Sequence, residues 1–188
     1  MEKPVLFINA CVRKESRTLR LAESLLMKLG EPFEEICLKD VRFPVVDEDF
    51  LKRRDELIAR GEPDNPIFDI SRQFTQAEII VIAAPYWDLS FPSTLKQYFE
   101  QVSAVGVSFT YTPEGFPAGL CRAKKLYYVT TAGGTAYIPE EFGFGYVKAL
   151  AQKYYGIQDV RLIKAEGLDI GGADPEAILR AAEDSMSV

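Results

Sequence analysis

The sequence predicts a doubly wound α/β fold: a three-layer sandwich with a five-stranded parallel sheet of order 2-1-3-4-5 between helices. Three observations carry that prediction. Short apolar runs alternate with segments of helical period along the 188 residues, five of each. Several of these runs are continuously apolar, the pattern of strands covered on both faces. Polar, aromatic or glycine-bearing segments follow the first, third and fourth runs, and ligands bind such sheets outside the carboxyl ends of their strands.

The elements follow in order. Val5-Leu6-Phe7-Ile8 is a buried strand leading into Asn9-Ala10-Cys11. From residue 16 to 29 the period changes: Ala22, Leu25, Leu26 and Leu29 fall on one helical face, and Gly30 is the stop. Residues 33–38 form the second strand. Residues 40–66 are densely charged and carry Gly61, Pro44 and Pro63. This stretch is expected to be a solvated excursion with an exposed helix over 49–60. A further helix covers 68–77.

Residues 78–84 (EIIVIAA) are the clearest strand, ended by Pro85. Pro92 then opens a helix over 93–102, with Leu95, Phe99 and Val102 on one side. Residues 103–123 form a long loop or hairpin. A strand over 126–130 runs into Thr131-Ala132-Gly133-Gly134, a helix covers 145–155, and the last strand covers 160–163. Asp174 caps and Pro175 opens the final helix, which ends near 186. Residues 1–188 are thus one domain.

Composition removes many chemistries. There is no histidine, hence no Ser-His-Asp triad, Cys-His pair or His-ligated zinc. Cys11, Cys37 and Cys121 match no zinc spacing and leave an odd thiol, which fits a reducing cytoplasm. With 22 basic and 28 acidic residues the formal charge is −6, the wrong sign for a general nucleic-acid binder. No run is long enough to cross a membrane. Met1-Glu2-Lys3-Pro4 leads into the first strand without a signal-peptide layout. No metal site is expected. A P-loop is missing, and the first strand ends in Asn9-Ala10 rather than in paired acids.

Three segments at strand ends, 9–18, 85–92 and 131–137, are therefore the candidate site. At the first, residues 12–20 carry four basic residues (Arg13, Lys14, Arg17, Arg20) and one acid (Glu15) at a helix start. Free N–H groups, the positive end of the helix dipole and the hydroxyls of Ser16 and Thr18 suit a phosphate. In the second, Pro85, Tyr86, Trp87, Asp88 and Leu89 offer apolar faces and a polar edge to a flat conjugated ring. In the third, Thr131, Gly133 and Gly134 permit close backbone approach. A phosphate pocket, an aromatic pocket and a glycine edge on one rim together describe a mononucleotide with a large flat ring, namely FMN.

Residues 81–134 (VIAAPYWDLSFPSTLKQYFEQVSAVGVSFTYTPEGFPAGLCRAKKLYYVTTAGG) resemble the flavodoxin-like FMN-dependent NADH-azoreductases and related quinone reductases. The motifs that carry the resemblance are Ala84-Pro85-Tyr86, the Leu-Lys-x-Tyr-Phe helix at 95–99 and the Gly-Val-x-Phe-x-Tyr-Thr hairpin at 106–112. It implies phosphate contacts from Cys11, Ser16, Arg17 and Thr18. It implies a flavin-ring loop of Pro85, Tyr86, Trp87, Asp88 and Leu89, and a glycine edge of Thr131, Gly133 and Gly134. It also implies a homodimer in which aromatics of the other protomer cover the flavin, with Tyr111 and Tyr154 as the matching substrate-pocket residues. Cys11 stands where that family usually has serine, Asp88 where asparagine is common, and Ala132 where arginine or another polar residue is common.

The implied activity is oxidation of NADH or NADPH and reduction of quinones, azo compounds or similar electron-poor aromatics by two-step hydride transfer. The cofactor supplies the chemistry, so no catalytic side chain is assigned. Two alternatives stand beside it. One is an electron-transfer flavodoxin-like carrier. The other uses Cys11-x5-Arg17-Thr18, which resembles the phosphate loop of low-molecular-weight tyrosine phosphatases, with Cys11 as nucleophile and Arg17 as clamp.

Overall fold

Strand β1 (Val5–Asn9) is buried along its whole length because it is an interior strand of a sheet covered on both sides. The structure is a computed structural model and describes residues 4–135 and 138–188. Helix α1 (Arg17–Leu29) follows β1. Ser16 Oγ accepts the Leu19 N–H at 3.2 Å at its start, and Gly30 ends it at φ 67°. The chain continues through β2 (Phe33–Cys37), α2 (Glu48–Ala59), α3 (Asp69–Gln76), β3 (Ile79–Ala83) and α4 (Ser93–Val102). A hairpin of β4 (Phe109–Tyr111) and β5 (Pro117–Gly119) precedes β6 (Lys125–Thr131), α5 (Phe144–Leu150), β7 (Asp159–Ala165) and α6 (Pro175–Ser185).

The main sheet is parallel with order β2-β1-β3-β6-β7, which is the expected 2-1-3-4-5 arrangement counted over five strands. Successive side chains alternate between its faces. Val5, Phe7, Val81, Tyr127 and Ile163 pack with α1 and α6 on one side. Leu6, Ile8, Ile80, Ile82 and Tyr128 pack with α3, α4 and α5 on the other. This layering brings the carboxyl ends of β1, β3, β6 and β7 to one rim.

The excursion at 40–66 differs from the expectation of a solvated segment. Helix α2 buries Leu57 beside Phe68, Ala104 and Val107. It also buries Arg54, whose guanidinium donates to the carbonyls of Glu100 and Ser103 at 3.1 and 3.0 Å. Arg54 thereby covers unpaired carbonyls at and just after the end of α4 from a distance in sequence. Residues 103–123 contain a true hairpin, with Phe109 opposite Gly119 and Tyr111 opposite Pro117. The helix expected over 145–155 is α-helical only to Leu150 and widens to a π turn over Ala151–Tyr155. Tyr155 ends that turn in the core, edge-on to Phe74 at 4.9 Å, and its hydroxyl shares a 2.8 Å hydrogen bond with Ser103.

Candidate functional site

The first loop starts with two short bonds. The Ala10 N–H donates to the Ala83 carbonyl and the Cys11 N–H to Asn9 Oδ1, both at 2.9 Å. These bonds keep the loop against β3 until Ser16 caps α1. Among the described residues, the N–H groups of Arg17 and Thr18 have no protein partner, as expected in a first helical turn. The second and third loops are tied to the first through one residue, Thr131. Its hydroxyl bonds that of Thr18 at 2.6 Å, and its carbonyl accepts the Tyr86 N–H at 3.1 Å. Both threonines are almost fully buried, so this link is protected from water.

Together the loops enclose a cavity of about 240 Å³ at the switch point between β1 and β3. Ser16, Arg17, Thr18, Pro85, Tyr86, Trp87, Thr131 and Gly133 line it, as the sequence predicts. Asp88, Leu89 and Gly134 are not among its lining residues. Asp88 and Leu89 form the tip of a two-residue turn closed by reciprocal bonds between Trp87 and Ser90 at 3.1 and 2.7 Å. Their φ values of 48° and 70° are left-handed, a conformation that costs a side-chain-bearing residue about 1–2 kcal/mol. The loop therefore holds a strained shape beside the cavity. Ala136 and Tyr137, at the end of the third predicted segment, lie outside the described residues.

Cys11 corrects a sequence expectation. It is 3% exposed, its thiol donates to the Ala83 carbonyl at 3.9 Å, and it is absent from the cavity lining. Burial pushes the thiol up to about 11, against a smaller opposing effect of the Ser16 hydrogen bond. A protonated thiol beneath the loop is not a phosphate nucleophile, so the Cys-x5-Arg pattern does not build a phosphatase centre here. Folded protein is accordingly expected to protect Cys11 from alkylation by iodoacetamide at neutral pH, and to leave p-nitrophenyl phosphate intact. Denaturation should expose all three thiols to the reagent. Rapid native labelling of Cys11, mapped by peptide mass spectrometry, would contradict this.

The local positive charge is also smaller than the sequence suggests. Arg20 turns to Glu176 at 2.8 Å, and Arg17 Nη2 pairs with Asp169 at 2.6 Å. Arg13, which lines the cavity, and Lys14 make no ion pair among the described residues. Tyr111 and Tyr154 lie together in another part of the chain. Both meet Phe109 edge-on, at 5.5 and 5.0 Å, and neither lines the cavity.

Sequence reasoning passed over a fourth wall. Leu168 and Asp169, from the loop after β7, line the cavity beside Arg17. The available signal was an acid between Gly167 and the Gly171-Gly172 pair, just after the last strand. A Cβ at Gly133 would lie 2.3 Å from Asp169 Oδ2, so a side chain there would have to displace the Asp169 carboxylate.

Comparison with known proteins agrees with the fold. A family model described as a flavodoxin-like fold matches residues 3–188. The chain belongs to that family. Among flavodoxin-like relatives, a Clostridium beijerinckii protein named FMN-dependent NADH:quinone oxidoreductase is 35% identical over 190 residues, covering 96% of this chain and 94% of its own. A protein of the same name from Clostridium perfringens is 36% identical over 182 residues, covering 92% and 90%. The crystal structure of an azoreductase from Bacillus anthracis matches with a TM-score of 0.81 at 25% identity, covering 96% of this chain and 94% of that one. Among the described residues, no helix is long and apolar enough to cross a membrane, and no cluster of acids and thiols could hold a metal ion.

Proposed function

We propose that this flavodoxin-like protein is an FMN-dependent NAD(P)H oxidoreductase that reduces quinones, azo compounds or similar electron-poor aromatics. One observation carries the reading: Thr131 ties an anion-ready helix start and an aromatic loop to a single cavity. The names of the relatives support the cofactor and the acceptor class.

The residues present suit FMN at both ends. The unpartnered N–H groups of Arg17 and Thr18, the Ser16 hydroxyl and the Arg17 guanidinium suit the phosphate. Pro85, Tyr86, Trp87 and Gly133 offer flat and apolar contacts to the ring. FMN, held by these residues, would supply the hydride-transfer chemistry between NAD(P)H and the acceptor. The chain supplies position. The buried Thr18–Thr131 bond holds the phosphate and ring halves of the site in register, and the Trp87–Ser90 turn presents Trp87, 39% exposed, at the mouth. No side chain is assigned as an acid or base.

The protein acts as a homodimer in this reading. The hairpin exposes Tyr111 and Phe116, at 50% and 69%, as the apolar surface that would cover the other protomer's cavity, with Tyr154 behind it. Three free cysteines fit a cytoplasmic location. The test is reconstitution with FMN, followed by NADH and NADPH oxidation with menadione or an azo dye as acceptor. Visible flavin absorbance and acceptor-dependent turnover are expected. Flavin uptake without turnover would instead indicate an electron carrier, and no uptake would overturn the assignment.

A further inference from the structure

Arg17 is not free to meet an incoming anion. Its Nη2 donates to Asp169 Oδ1 at 2.6 Å and its Nη1 to the Leu168 carbonyl at 3.1 Å. Asp169 lies 152 residues away in sequence and is held by the main chain. The N–H groups of Gly167, Leu168 and Asp169 donate to the carbonyls of Gly134, Ala132 and Gly133 at 2.9, 3.3 and 3.0 Å. The third loop passes close to this carboxylate, since a side chain at Gly133 would meet it. Both Arg17 and Asp169 line the cavity.

A carboxylate in bonding contact with this guanidinium occupies the place of a ligand oxygen. We propose that Asp169 is a built-in competitor for the phosphate-type anion at Arg17, so that loading the site requires the Arg17–Asp169 pair to open or to share its guanidinium. The inference rests on the FMN reading for the identity of the anion. The geometry suits a replaceable partner. The pair is partly solvated, with side chains 37% and 64% exposed, and such pairs are cheap to open. Asp169 remains in the cavity wall after the pair opens, and there it repels a phosphate dianion. The device lowers affinity for a phosphate-bearing ligand and leaves recognition of the ring untouched.

Asp169→Asn keeps the shape and removes the charge. Binding of FMN and of riboflavin, which lacks the phosphate, is measured by flavin fluorescence quenching in wild type and variant. Inorganic phosphate is titrated in parallel and read as the rise in melting temperature. The expected result is FMN binding tightened roughly tenfold, riboflavin binding unchanged, and a larger phosphate-induced rise in the variant. An FMN-to-riboflavin ratio that stays constant or falls would overturn the proposal, and a fall would make Asp169 a positioning residue for Arg17. If wild type and variant bind neither flavin, the FMN reading fails. The phosphate titration then still decides, because equal rises in the two proteins reject a competitor.

Discussion

Arg17→Ala is expected to weaken FMN binding by about 100-fold, because about 3 kcal/mol of net stabilisation of the phosphate is lost. Two effects add. The guanidinium that reaches into the cavity disappears, and the Asp169 carboxylate at 2.6 Å from it loses its partner and faces the phosphate unscreened. Riboflavin should bind the variant nearly as well as wild type, which separates phosphate recognition from damage to the ring pocket. Combining Arg17→Ala with Asp169→Asn should recover about tenfold of the loss, since the repulsive half is then removed. Fluorescence quenching by the four proteins gives the complete cycle. Unchanged FMN affinity in Arg17→Ala would place the phosphate elsewhere.

The largest stability effect is expected at a site remote from the cavity. Gly119 in β5 lies so close to the π turn that a Cβ would be 2.1 Å from the Tyr155 carbonyl carbon, 2.2 Å from its oxygen and 2.3 Å from the Gly156 nitrogen. All three are backbone atoms and cannot swing aside, so Gly119→Ala must push the hairpin off the end of the π turn. A loss of about 3 kcal/mol is expected, at the upper end of overpacking effects. Urea unfolding measures it directly. Gly171→Ala is the control, since it has open space and no left-handed φ, and should shift stability by less than about 0.5 kcal/mol. The hairpin also carries Tyr111 and packs Phe109 on Tyr154, so its displacement should impair acceptor reduction more than flavin uptake. A fully stable Gly119→Ala protein would contradict this account.

Much of the fold is legible because its causes are local. The run that became β3 and the runs at the start of β1 (5–8) and the middle of β6 (126–129) are apolar or aromatic throughout, as burial on two faces demands. Ser16, Gly30 and Asp174-Pro175 mark helix ends through bonds to their own neighbours. Most of the cavity lining follows from the same reasoning, since strand order alone brings the loops after β1, β3 and β6 to one rim.

Other features depend on partners far away in sequence. Arg54 reads as one charge in a solvated run, and only packing shows it covering carbonyls at the end of α4. Cys11 reads as a candidate nucleophile until burial against Ala83 makes it an inert thiol. Asp169 carries no pattern that links it to Arg17. The sequence by itself determined the strand order, most helix ends and the rim at the strand ends, because periodicity and capping act within a few residues. Tertiary structure alone decided which charges meet and which groups lose water, because ion pairing and desolvation depend on distance in space and not on distance along the chain.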